Sequence, residues 1–279
     1  MMGFSRGIAD MLLAAFFFSL MAVFVKAAGN RIPWQEIVLF RSLIVFAITA
    51  YWIRRKGLPL IGNNRPLLFL RGFFGFVGLS AFYFTLTHIP IADSVLLQYT
   101  SPLFTTLLAM VILKEPTPAR QWGYFLLAFL GIGLIIRPGF HLTFLPAVVG
   151  LVGAAGAGVA YNLVRKLRET DHPLHIILSL PAVSIIFSLP MVLANFVMPS
   201  GWEWPMLLGV GISTQIAQFF LTRGLHRETA ARATNVTYIN VVFSAIWGLI
   251  LWNEIPDWRS IVGAVLIVYA IIKIGKKGN

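Results

Sequence analysis

Ser94-Val-Leu-Leu-Gln-Tyr-Thr-Ser-Pro-Leu-Phe-Thr-Thr-Leu-Leu-Ala-Met-Val-Ile-Leu-Lys-Glu115 returns, altered, as Ala233-Thr-Asn-Val-Thr-Tyr-Ile-Asn-Val-Val-Phe-Ser-Ala-Ile-Trp-Gly-Leu-Ile-Leu-Trp-Asn-Glu254. At an offset of 139, Tyr99 falls on Tyr238, Phe104 on Phe243, Leu113 on Trp252 and Glu115 on Glu254. Pro66 and Leu86 meet Pro205 and Leu225 at the same offset, and Pro33 meets Pro173 at 140. Each half has room for about five apolar spans of ~20 residues, the length that crosses a bilayer core. An odd number of spans inserts the second copy upside down, so the halves read as inverted repeats.

Composition places the chain in lipid. It is 58% hydrophobic and 11% charged over 279 residues, with a mean hydropathy of +0.82; a soluble domain carries roughly a quarter charged residues. The apolar runs are unbroken and do not alternate every second residue, which argues against a β-barrel. Ten segments suit membrane helices, at approximately 7–27, 34–53, 66–87, 92–113, 120–137, 143–164, 175–196, 204–222, 231–252 and 258–275. The expected fold is an all-α membrane protein with ten transmembrane helices as two inverted five-helix repeats, 1–139 (helices 1–5) and 140–279 (helices 6–10). The loops are short, and none has room for a soluble domain.

The net charge of +12 suggests nucleic acid until its distribution is considered. Sixteen Lys and Arg residues fall on one side of the ten-span layout and four on the other, Lys26, Arg31, Arg137 and Arg259. That asymmetry puts both termini in the cytoplasm of a multi-pass cytoplasmic (inner) membrane protein, with no nucleic-acid partner. There are no cysteines for disulfide, thiolate or metal chemistry. Five scattered histidines form no HxxxH or HExxH pair, so neither a metal nor a cofactor is expected. The first span, lacking a small-residue cleavage site, reads as retained and not as a signal peptide.

Specific residues carry a family likeness. Ile89-Pro-Ile-Ala-Asp-Ser94, Ser101-Pro-Leu-Phe104, Leu113-Lys-Glu115 and Gly131-Ile-Gly133, with Ala230-Ala-Arg-Ala233 and Asn253-Glu254 in the second half, resemble the EamA family of the drug/metabolite transporter superfamily. Phe40-Arg41 and Leu70-Arg-Gly72 look more weakly like its riboflavin and S-adenosylmethionine transporter branch. Members often have Gly before the helix-end acid, where this chain has Lys114 and Asn253. The resemblance implies a ten-helix carrier with a cavity lined by helices 1, 3, 4, 6, 8 and 9, working without ATP.

Arg41 lies deep in helix 2, where a guanidinium costs at least ~2.5 kcal/mol and needs a partner or water. It either meets an anionic group on a substrate or bonds helix-end carbonyls and snorkels. Arg71 is only five residues past Pro66, within snorkelling range. Polar side chains three or four apart share a helix face: Ser80, Tyr83 and Thr87 on helix 3; Gln215, Gln218 and Thr222 on helix 8; Asn235 and Tyr238 on helix 9. Gln98 and Tyr99 on helix 4, and Tyr161 and Asn162 on helix 6, complete the candidate substrate-binding set. Interhelical bonding is the competing reading for each stripe. The glycines Gly72, Gly75 and Gly78, and Gly150, Gly153, Gly156 and Gly158, read as small packing faces. Glu115 and Glu254 read as structural helix-end acids, and Pro102 should kink helix 4. Asp10, Glu36 and Asp93 fall near span ends.

Together these readings imply a secondary transporter for a small polar or amphipathic metabolite (amino-acid-like, carboxylate-bearing, or riboflavin- or nucleoside-like), moving it by alternating access. An intramembrane enzyme on lipid-type substrates and a multidrug exporter of broad apolar specificity are the alternatives. A homodimer is open. No Walker A motif is present, and no carboxylate lies away from a span end, which leans towards uniport or exchange over proton coupling.

Overall fold

The computed structural model describes residues 6–112, 119–136, 141–227 and 239–275. They form α1 (Arg6–Ala28), α2 (Trp34–Arg55), α3 (Arg65–His88), α4 (Ile91–Gln98), α5 (Ser101–Ile112), α6 (Ala119–Ile136), α7 (His141–Leu167), α8 (Pro173–Ala194), α9 (Glu203–Arg227), α10 (Ile239–Trp252) and α11 (Trp258–Gly275), with no strand among the described residues. Six of these helices, α1, α2, α3, α7, α8 and α9, contain a stretch long and apolar enough to cross a membrane. Shorter apolar pieces lie in α6, α10 and α11. Large aliphatic side chains such as Val111 and Leu193 stand 77% and 74% exposed, as suits a surface facing hydrocarbon. The chain is a multi-pass helical membrane protein.

Local chemistry sets the helix ends. Gly57 takes φ +66° after α2, so its amide returns to the Arg54 carbonyl at 3.0 Å and that of Leu58 to Ile53 at 3.1 Å, the Schellman arrangement. Across the turn, the Asn64 side chain accepts from the Leu67 amide at the start of α3, where Pro66 needs no donor. His172 and Pro173 do the same for α8.

The span expected at 92–113 is not one helix. It breaks at Tyr99 and Thr100 into α4 and α5. Pro102 becomes the second residue of α5, where its missing amide is harmless, and the chain turns just before it. Thr100 caps the break by donating its hydroxyl to the Leu97 carbonyl at 2.6 Å.

Small residues bring the helices together. The most extensive packing joins α1 to α9 and α3 to α7, with α2 against α8 and α6 against α11. At the α3–α7 contact, a Cβ on Gly78 would sit 3.0 Å from the Gly153 carbonyl oxygen, and one on Gly153 would run into Ala81. Hydrogen bonds add to this packing, each worth about 0.6 kcal/mol in a membrane bundle. Thr85 meets Ser94 at 2.5 Å, and Trp247 donates its indole N–H to the Ser19 hydroxyl at 3.1 Å.

Polar contacts gather at two opposite ends of the bundle. At the first, Lys26 is paired with Glu254, Arg31 with Glu203, and the Val197 amide donates to Glu36 Oε2 at 3.1 Å. At the second, Arg223 meets Asp10 at 2.8 Å, the Asn63 amide donates to Asp171 at 2.6 Å, and His175 Nε2 donates to the Pro59 carbonyl at 2.7 Å.

Candidate functional site

Arg41 is seven residues from the first residue of α2 and fourteen from the last, so about 10 Å and 21 Å from its ends. It is only 6% exposed, and its Nε and Nη1 have no hydrogen-bond partner. Tyr83 on α3, fully buried, lies within its electrostatic reach and donates its hydroxyl to the Met21 sulfur on α1 at 3.2 Å. The buried Thr214 hydroxyl of α9 lies beside the Tyr83 hydroxyl. Helices from both halves thus meet at the Tyr83 hydroxyl, which lies within electrostatic reach of Arg41.

Arg71 sits six residues into α3, near the opposite end of the bundle. Its Nε is buried without a partner, and its Nη1 fills the space beside Gly75, 2.5 Å from where a Cβ would stand. Tyr161 on α7 and Arg41 are both within its electrostatic reach. Tyr161 is 53% exposed on α7. Ser80, one turn before Tyr83, adds a further buried hydroxyl without a partner.

The remaining candidates divide. Tyr161 and Asn162 are sequence neighbours and point apart: Asn162 is fully buried and donates to the Thr105 carbonyl of α5 at 2.9 Å and to Gly158 at 3.1 Å, tying α7 to α5. Gln98 and Tyr99, half-buried, flank the α4–α5 break, and Tyr99 packs between two apolar clusters. Gln215 and Gln218 are half-buried on α9. Thr87 turns its hydroxyl back to the Phe84 carbonyl at 2.8 Å. Asn235, Tyr238 and Glu115 lie outside the described residues.

Glu254 does more than end a helix. Asn253 adopts φ +53°, a left-handed conformation that Asn tolerates better than other residues with a Cβ, and so stands in for the expected Gly. The Glu254 amide returns to the Gly248 carbonyl at 3.0 Å, and its carboxylate folds over Gly248, where a Cβ would come within 2.8 Å of it. There it accepts from Lys26 and from the Ile91 amide at 2.9 Å, opening α4 from across the molecule. Lys26 also donates to the Ile89 carbonyl at 2.9 Å and stands over the Trp252 ring. This carboxylate assists the α4 N-terminus from a distant part of the chain, and Asp93 lies in the first turn. A cleft of about 250 Å³ beside it is lined by Pro90, Asp93, Gly248, Glu254, Asp257 and Ser260. It lies at the bundle's end, away from the buried arginines. On the loop nearby, the hydrogen bond with Glu203 raises the Arg31 pKa above its ordinary value.

Sequence reasoning did not find the Lys26–Glu254 and Asp10–Arg223 pairs. Their partners are 228 and 213 residues apart, and the only signal was that each charge stands alone at a span end.

A multi-pass bundle whose interior holds buried guanidiniums and hydroxyls, and whose acids sit near its ends, has the make-up of a membrane transporter. The chain belongs to the EamA-like transporter family, whose model matches residues 5–137 and again 145–275. The pseudopaline exporter CntI of Pseudomonas aeruginosa strain UCBPP-PA14 is 35% identical over 276 residues, spanning 98% of this chain and 97% of that one. The S-adenosylmethionine uptake transporter of Rickettsia prowazekii is 27% identical over 271 residues, 96% of this chain and 92% of that one. A crystal structure of another protein shares the fold at a TM-score of 0.66 with 18% identity, across 96% of this chain and 95% of that one. The names of the family and of these relatives denote transporters.

Proposed function

We propose that this protein is a secondary transporter that moves a small, acid-bearing metabolite across the cytoplasmic membrane by alternating access. Its ten spans form two inverted repeats, 1–139 and 140–279, with both termini in the cytoplasm. The substrate is held by Arg41, with Arg71, Tyr83 and Tyr161 around it; Gln98, Tyr99, Gln215, Gln218, Asn235 and Tyr238 extend the same lining, and Asn162 braces it. The observation that carries this reading is the buried Arg41 of α2, whose Nε and Nη1 have no partner, within reach of Tyr83 on α3. A charge kept there at such cost has a use when a substrate brings its counterpart.

Pairing of the helices supports the inversion. Exchanging the halves turns α1 against α9 into α7 against α3, the two most extensive contacts. An offset of 140 carries Arg31 onto Asp171 and one of 139 carries Asn64 onto Glu203, so the ion pair at one end and the amide–carboxylate bonds at the other are counterparts. The same two offsets carry Gln35 onto His175, each in the first turn of its helix, and Pro59 onto Met198. In this reading the Lys26–Glu254 contact closes the outer end, and its release opens the site outward.

Transport is tested in vesicles with pseudopaline and, separately, S-adenosylmethionine as probes. Flux of an acid-bearing metabolite by the wild type, unchanged when the proton gradient is collapsed, is the expected result. Absence of flux for every member of a small-metabolite panel, together with turnover of a lipid substrate, would replace the transporter reading by the enzymatic one.

A further inference from the structure

We propose that the central site selects substrates with two acidic groups, one docking on Arg41 beside Tyr83 and Thr214, the other on Arg71 beside Tyr161. This deepens the transporter reading and rests on it.

The argument begins with charge. Arg41 and Arg71 are close enough to act on each other, and like charges in a poorly hydrated interior repel strongly. Neither has a carboxylate partner among the described residues. The ten acids of the chain all fall near span ends. There, Asp10 is engaged by Arg223, Asp171 by Asn63 and Asn64, Glu203 by Arg31, Glu254 by Lys26 and Glu36 by the Val197 amide. Among the described residues no acid pairs with either guanidinium, and a ligand would supply the compensating charge.

Geometry then separates two docking points. Arg41 lies about 21 Å and Arg71 about 9 Å from the same end of the bundle, counted along α2 and α3. Their backbones thus differ in depth by about 12 Å, so the two guanidiniums are rooted at different levels of the bundle. A single compact acid placed on one guanidinium leaves the other uncompensated. Each guanidinium also has its own phenol, Tyr83 for Arg41 and Tyr161 for Arg71, so the two halves of the site repeat one chemistry at two depths. Planar guanidinium groups pair with carboxylate or phosphate oxygens in a fork, which fits both acid types.

The test uses purified wild-type protein in detergent and a ladder of straight-chain dicarboxylates from succinate to sebacate, with the half-amide and diamide of each. Binding is read by thermal shift and by competition for transport in vesicles. The expected result is a preferred length at which the diacid binds about tenfold or more tightly than its half-amide, the size of one charge-assisted contact. In Arg71→Gln and in Arg41→Gln this ratio should fall towards one while the folded yield is kept, and Arg71→Lys should restore part of it. Phosphoglycolate and 3-phosphoglycerate, run alongside, tell a phosphate end from a carboxylate end. Equal binding of diacid and half-amide by the wild type, no binding of any diacid or phosphate ester, or an unchanged ratio in both Gln variants overturns the proposal. If the wild type still carries a neutral or singly charged metabolite in vesicles, the transporter reading survives that failure.

Discussion

Arg41 shows how one residue can be legible in the sequence and its surroundings not. Its depth follows from counting along α2, and so does the expectation of a partner. Its neighbour Tyr83, and Thr214 beside that phenol, come from helices whose rotation no periodicity specifies. Arg41→Ala is expected to lower flux of an acidic substrate at least tenfold with folded yield nearly unchanged; equal flux in reconstituted vesicles would remove Arg41 from the mechanism. Asn253 is the second instructive residue. Because it holds φ +53°, Asn253→Gly should leave stability unchanged or raise it slightly, whereas Asn253→Val should cost about 1–2 kcal/mol. Melting of the two variants in detergent checks the order.

Elements were easier to read than contacts. Hydropathy located the long helices because transfer into lipid adds up residue by residue along the chain. The turn at Gly57 and the start at Asn64 were equally local. The break between α4 and α5 was less legible, since Pro102 signalled a bend within a span and the capping by Thr100 placed it before the proline. The paired glycine faces read correctly as packing surfaces, but the partner helix was set by the fold. Gly153→Val, pressed against Ala81 and the α3 backbone, should cost about 1–3 kcal/mol and appear as a lower melting temperature. Gly123, with open space around it, serves as the control and should accept Ala without loss.

At the scale of the molecule, the two ends hold different polar contacts. If Lys26 and Glu254 close the outer end, Glu254→Gln should favour the outward-open form. The chain has no cysteine, so Thr214→Cys provides a single label deep in the bundle. An impermeant thiol reagent added outside should label it faster, by about threefold or more, when Glu254→Gln is present. An unchanged rate would mean that this pair braces the fold and does not gate it. The candidate site divides in the same way: Arg41 and Arg71 stood out by charge, whereas Thr214, a buried hydroxyl beside Tyr83, carried no sequence signal above that of ordinary membrane helices.

From the amino-acid order alone came membrane residence, the internal duplication and the orientation expected from Lys and Arg placement. Each depends on free energies that are local or summed along the chain. Only the folded bundle decided that Lys26 meets Glu254, that Glu254 reaches the α4 N-terminus, and that Arg41 and Arg71 stand within reach of one another with no acid of the described residues paired to either. Those relations join helices far apart in sequence. They follow from how closely the glycine faces let the helices approach and how each helix turns about its axis, which only packing in three dimensions determines.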